Sequence, residues 1–218
     1  MLSMTLDKDR PQSRNEEMAN SISHGLGVIA SILGTPFLII HAANTGNTGY
    51  LVGVSIFSAT LIMLYLSSTL YHAMPAGKAK RILRAIDHSL IFLLIAGTYT
   101  PFTLGVLSGA WGWSLFGVVW GLAVIGIILK LFDGATRPIF YNTLYLLMGW
   151  VIVVAIHPLL NSLPLAGLLW LLAGGLLYTI GIIFYATDGK LPFGHLIWHL
   201  FVLGGSVSHY FAVYWYAA

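Results

Sequence analysis

Two histidines four residues apart, His195 and His199, carry the strongest chemical signal in the chain. On a helix that spacing puts both imidazoles on one face, within reach of a single cation. A third histidine from a facing helix would complete a three-histidine site with an open fourth position, the arrangement of a catalytic zinc. His72 is the candidate, and Ser68, one turn earlier on the same face, is placed to hold a water or a substrate atom. The chain has no cysteine, which excludes disulfides, thiolate metal sites and a cysteine nucleophile. Imidazole ligands then favour Zn2+, with iron, copper and nickel as alternatives. Asp87 is an acid that either ligates the ion or orients a water beside it; alternatively it caps its own helix, where the dipole suits a carboxylate. Glu17, Asn20 and His24 recur at i, i+3 and i+7, a single helical stripe. Turned inward, that stripe orients the ligands from behind; turned outward, Glu17 is merely an interfacial acid.

The elements that must position these residues are membrane helices. Of 218 residues, 58% are hydrophobic and 8% charged, against about 25% charged in a soluble domain. So few charges cannot cover a water-facing surface, and mean hydropathy is +0.86. Residues 1–14 read as a flexible polar tail, and 15–218 as one membrane domain. Apolar runs of the roughly 20 residues that a bilayer requires fall at 21–42, 50–71, 87–107, 112–131, 141–157, 165–185 and 194–216, the fifth being the shortest. The expected fold is all-α, a seven-transmembrane-helix bundle. The first run exceeds the roughly 7–15 apolar residues of a signal-peptide core. No internal repeat is evident.

Basic residues orient the bundle. Lys8, Arg10 and Arg14 precede the first run; Lys78, Lys80, Arg81 and Arg84 lie between the second and third. Lys130 and Arg137 bracket the fourth-to-fifth connection, and Lys190 precedes the seventh. All ten therefore fall on one side, which puts the N-terminus in the cytoplasm and the C-terminus outside. The pI near 9.2 reflects this orientation signal and not a solvated basic patch for nucleic acid. With that topology His72, Asp87, His195 and His199 share a depth near the cytoplasmic ends, where Glu17, Asn20 and His24 also lie. Ionisable groups in a span cost about 2.5–3.5 kcal/mol at its centre, so they are functional candidates by default. Elsewhere, His41 and His157 read as interfacial groups on the outer side, and His88 as an interfacial contact. His209 lies about 15 Å deeper than His199 at the helical rise, too far for the same ion, and reads as a polar lining or packing residue.

Four motifs together resemble the signature of the progestin and adipoQ receptor (adiponectin receptor-like) superfamily. They are Glu17-x-x-Asn20-x-x-x-His24, Ser68-x-x-x-His72, Asp87 at the head of the third span, and His195-x-x-x-His199. STLYHA at 68–73, AGTYTP at 96–101 and FVLGGSVSHY ending at Tyr210 are similar to the bacterial hemolysin III branch. The resemblance runs from about Glu16 to the C-terminus. It implies seven helices with the N-terminus inside, and zinc on His72, His195 and His199. It also implies Asp87 near a water at the metal, and Ser68 beside it. Eukaryotic relatives act as hormone receptors and are similar to alkaline ceramidases, which hydrolyse a lipid amide. The bacterial branch is named for haemolysis and linked to membrane lipid homeostasis. The long N-terminal domain of the eukaryotic receptors has no counterpart here, which argues against a hormone ligand.

The expected function is that of a bacterial inner-membrane, zinc-dependent hydrolase of a lipid amide or ester. Asp87 and Ser68 would be the catalytic residues, and membrane lipids the substrate or ligand. The alternative is a non-catalytic sensor of membrane state in which zinc staples the second and seventh spans. A pore-forming cytolysin fits less well: a secreted toxin must first be soluble, and the ionisable groups here gather at one end without tracing a path across the bilayer. A retinal protein needs a lysine in its last span, where none occurs. A G-protein-coupled receptor has the opposite orientation.

Overall fold

The structure, a computed structural model, describes residues 10–107, 109–133 and 138–218. Among the described residues, eight α-helices run in the order α1 (Arg14–Thr45), α2 (Thr48–Ala73), α3 (Lys78–Leu104), α4 (Ala110–Asp133), α5 (Pro138–Trp150), α6 (Ile156–Ser162), α7 (Leu165–Ala186) and α8 (Gly194–Tyr216). A 3-10 segment, Val151–Ala155, joins α5 to α6, so these three form the fifth span. Among the described residues, seven segments are thus long and apolar enough to cross a membrane, and the seven-helix expectation holds.

α1 and α3 begin well before their apolar runs because a cap and a basic turn extend them. Ser13 opens α1 in a capping box: its hydroxyl accepts from the Glu16 backbone, and the Glu16 side chain accepts from the Ser13 amide, satisfying two donors that a helix start leaves free. Residues 1–9 of the expected tail lie outside the described residues. Arg10 is tied down, its guanidinium on Glu16 and its amide on the Gly189 carbonyl. The third helix starts at Lys78, so Asp87 sits in its third turn; the reading of Asp87 as a helix cap is thereby excluded.

α1 packs on α2 and α8, α2 on α3, α3 on α4 and α5, and α7 on α5 and α8, closing a ring. The lipid-facing side is plain on α1, where Ile22, Leu26, Ile29, Leu33, Phe37 and Ile40 form a stripe, each more than half exposed. In water such a stripe would be untenable, and in a bilayer it is the expected exterior. α2 and α3 approach closely at Gly53, where a β-carbon would come within 2.5 Å of the Pro101 Cα. Small residues at helix crossings replace the missing hydrophobic drive between helices in lipid.

The fifth span breaks at Trp150 (φ −99°, ψ 4°), and a side chain from α3 repairs the break. The Tyr99 hydroxyl accepts from the Ile152 amide at 3.0 Å and lies 2.7 Å from the Gly149 carbonyl and 3.1 Å from that of Met148. Inside a membrane, irregular backbone survives only where protein or a cavity satisfies it. Of the basic residues, Lys8 and Arg137 lie outside the described residues. Contacts among the others mark one end of the bundle: Lys80 reaches Glu17, Arg10 reaches Gly189, and Lys130 lies 4.1 Å above the Tyr141 ring.

Candidate metal centre

At that basic end, α2 finishes and α8 starts side by side. His72 is the penultimate residue of α2; His195 and His199 fill the first two turns of α8. One potential ligand atom from each of the three lies within 4.8 Å of the other two, and all three side chains are buried. The structure thus brings His195 and His199, paired by their spacing, together with His72 in a group that could hold a metal ion.

Each imidazole is held by its Nδ1. His72 Nδ1 is 2.8 Å from Glu17 Oε2, and Glu17 Oε1 is 2.8 Å from Lys80 Nζ. His195 Nδ1 is 2.6 Å from Asp188 Oδ2. His199 Nδ1 is 3.0 Å from Ser23 Oγ and 3.2 Å from the Asn20 carbonyl. Oriented in this way, Nε2 of each ring is left as the ligand atom. His72 Nε2 is fully buried with no hydrogen-bond partner among the described residues, a costly state unless a cation takes it up. Three neutral imidazoles fixed by carboxylates or carbonyls on their far nitrogens are what zinc or a similar metal requires. The donor set therefore fits a metal ion.

The Glu17–Asn20–His24 stripe faces inward, and each member touches one of the three histidines differently. Glu17 binds His72 through its carboxylate. Asn20 uses its backbone carbonyl, while its side-chain amide donates to Gln12 at 2.6 Å. His24 makes no hydrogen bond to a ligand; its ring lies flat on His199, centroids 3.5 Å apart and 8° from parallel.

Two supports were not legible in the sequence. Asp188 lies in the connection between α7 and α8, where no helical period points to it; its place seven residues before His195, in a short polar turn, was the only hint. Glu16 is buried and accepts from the Phe193 amide at 2.7 Å. Phe193 is left-handed (φ 58°, ψ 15°), an uncommon state for a bulky residue. It immediately precedes Gly194 and His195, so the Glu16 contact fixes how α8 enters. The capping-box pattern Ser13-x-x-Glu16 was a signal that could have found Glu16.

A cavity of about 110 Å³ opens against this centre, bounded at the basic end by Ser68, Asp87, His195 and His199. Asp87 is outside the group of three candidate ligands. Its carboxylate is buried, with no ion pair among the described residues. Ser67 Oγ lies 3.4 Å from Oδ1, but that hydroxyl also sits 3.1 Å from the Leu64 carbonyl and has only one proton to give. Ser68 Oγ is buried beside this cavity and has no hydrogen-bond partner among the described residues. His88, expected at the lipid interface, instead faces this cavity, with its Nε2 3.4 Å from the Tyr185 hydroxyl and its carbonyl accepting from Tyr145. Aromatic partners from the fifth and α7 spans draw it in, which the position of His88 beside Asp87 could not show.

A second cavity, about 240 Å³, adjoins the first and shares with it Thr98, Tyr99, Trp150 and His209. It continues between the fifth span and α7 toward the other end of the bundle. Its walls are overwhelmingly apolar. His41 lies far from the centre, stacked on Tyr214 at 4.4 Å, and His157 pairs with Asn161 at 3.3 Å.

The haemolysin-III-related family model matches residues 12–210, which includes every residue of the centre. The chain belongs to that family. A hemolysin-3 homolog of Bacillus subtilis (strain 168) is 49% identical over 92% of this chain and 94% of its own length. Hemolysin-3 of Bacillus cereus is 48% identical over 92% and 91%. Human monocyte to macrophage differentiation factor is 28% identical over 92% of this chain and 84% of its own. No solved structure matches significantly. With seven apolar spans, membership of the haemolysin-III-related family makes this an integral multi-pass protein of the bacterial inner membrane.

Proposed function

We propose that this member of the haemolysin-III-related family is a zinc-dependent hydrolase of a lipid amide or ester, working inside the membrane near its cytoplasmic face. The observation that carries the reading is Asp87: a buried carboxylate with no ion pair among the described residues, opening into the same cavity as two of the three candidate ligands. An unpaired buried carboxylate costs stability, and a hydrolase uses one. Zinc on His72, His195 and His199 would polarise the scissile carbonyl and bring the pKa of a water down toward about 7. Asp87 would orient that water, take its proton at a carboxylate oxygen and hand it on to the departing amine or alcohol. Ser68 positions the water or the carbonyl oxygen beside it. Glu17, Asp188 and Ser23 hold the imidazoles so that little reorganisation accompanies the reaction. The apolar cavities beyond accept the acyl chain and keep bulk water out.

The orientation proposed with it puts the N-terminus in the cytoplasm, so substrate enters laterally with its head group at the inner leaflet. Alkaline phosphatase fused after Ala218 should then be active outside the cell, and an inactive fusion with full expression would reverse the orientation.

The deciding experiment compares purified zinc-loaded and metal-free protein on acyl-amide and acyl-ester lipids. Turnover should require zinc, and Asp87→Asn should lower it by about 10²–10⁴-fold, the usual contribution of a general base, with metal content unchanged. No turnover at full metal occupancy would overturn the hydrolase. A sensor is the second reading, favoured by the distribution of ligands over two helices: His72 on α2 and the pair on α8 would let zinc staple these spans together.

A further inference from the structure

We infer that His209 is a second recognition point for the lipid, midway along the acyl cavity, taking a hydrogen bond from a hydroxyl or amide N–H carried on the chain. The inference rests on the proposal that a lipid chain fills these cavities, and it adds what that chain must carry. His209 lies at the junction of the two cavities and lines both, yet only 9% of it is exposed. Its Nδ1 is 2.8 Å from the Gly205 carbonyl, which can only accept, so the proton of the neutral ring is on Nδ1. Nε2 is therefore an acceptor.

That acceptor has no partner among the described residues, and the polar groups around it are already committed. The Thr98 hydroxyl donates to the Leu94 carbonyl at 2.8 Å, and the Thr179 hydroxyl to that of Gly175 at 2.7 Å. Trp150 Nε1 donates to Thr179 at 3.0 Å, and the Tyr99 hydroxyl is spent on the break in the fifth span. Tyr178 and Tyr65 both engage Ser206, at 2.9 and 2.6 Å.

The ring is also held firmly. It stacks on Tyr178 with centroids 5.3 Å apart and planes 10° from parallel. It occupies space that Gly174 leaves open: a β-carbon there would come 2.3 Å from His209 Cε1. An apolar side chain would line an acyl channel at less cost, since burying a polar group without a partner is unfavourable. A fixed, unsatisfied acceptor in an otherwise apolar channel selects for a ligand that brings a donor. Ten residues of helix separate His209 from His199, about 15 Å at the helical rise, which an extended chain covers with about a dozen methylenes. The ligand class is thus a long-chain lipid with a hydroxyl or amide N–H in mid-chain.

The test is binding, read from quenching of the cavity tryptophans Trp150 and Trp198 in the purified zinc-loaded protein. Three probes are titrated: octadecanoate, 3-hydroxyoctadecanoate and 12-hydroxyoctadecanoate. Wild type should bind the 12-hydroxy acid at least fivefold tighter than the other two, and His209→Leu should bind all three alike. Equal wild-type affinities, as when a water alone satisfies Nε2, would overturn the proposal even if the variant does not fold. A preference that survives in His209→Leu would also overturn it. Hydrolysis of the matching amides and esters is followed in parallel: turnover without hydroxyl preference refutes the His209 subsite alone, and preference without turnover refutes the hydrolase alone.

Discussion

Replacing Asp188 by alanine removes the one carboxylate that holds His195. The bond is short, 2.6 Å, and hydrogen bonds of this kind to a charged group contribute about 1.5–3 kcal/mol. The Asp188 side chain is 25% exposed, so water partly replaces it and the lower half of that range applies, about 1.5–2 kcal/mol. At 1.4 kcal/mol per factor of ten, metal affinity should fall by roughly 10–30-fold, within the 10–100-fold typical of such supports. Ser23→Ala makes the internal comparison. His199 Nδ1 keeps the Asn20 carbonyl at 3.2 Å when Ser23 Oγ is lost, so the loss there should be below about threefold. Both are measured by competition against a chromophoric zinc chelator in detergent micelles. An Asp188→Ala affinity within twofold of wild type, or a Ser23→Ala loss as large as that of Asp188→Ala, would refute the claim that Nδ1 contacts tune this centre.

His24→Phe should keep full metal content and equal or exceed wild-type stability, by up to about 1 kcal/mol, because it preserves the stack on His199 and removes two buried nitrogens without partners. Loss of metal in that variant would make His24 a ligand. Tyr99→Phe should lower stability by about 1–3 kcal/mol and speed hydrogen exchange at the Ile152 amide. Unchanged melting and exchange would show that the break in the fifth span does not depend on the Tyr99 hydroxyl.

Hydropathy made the seven spans legible because lipid imposes a length and a polarity on each one. It located helix ends poorly: α1 and α3 start about seven and nine residues before their apolar runs, on a Ser13 cap and a basic turn that hydropathy does not register. The break at Trp150 was hidden for another reason. The segment around it is uniformly apolar, and its stability comes from Tyr99, some fifty residues away. At the candidate metal centre, helical spacing paired His195 with His199 and put Glu17, Asn20 and His24 on one stripe, since both are properties of a single helix. Asp188 escaped because it sits in a loop with no period, and His88 was misplaced because its surroundings come from helices that meet only in the fold. His209 was read as a lining residue, and it is one. That its Nε2 has no partner among the described residues depends on how Thr98, Thr179 and Tyr99 are bonded, which only the fold shows.

The central claim is that His72, His195 and His199 hold one metal ion. Metal analysis of the protein purified without chelators, beside the His195→Ala, His199→Ala double variant, tests it directly. The account predicts about one zinc per chain in wild type and less than a tenth of that in the variant, since one imidazole cannot hold the ion alone. Equal metal content in the two proteins, both folded, would contradict it.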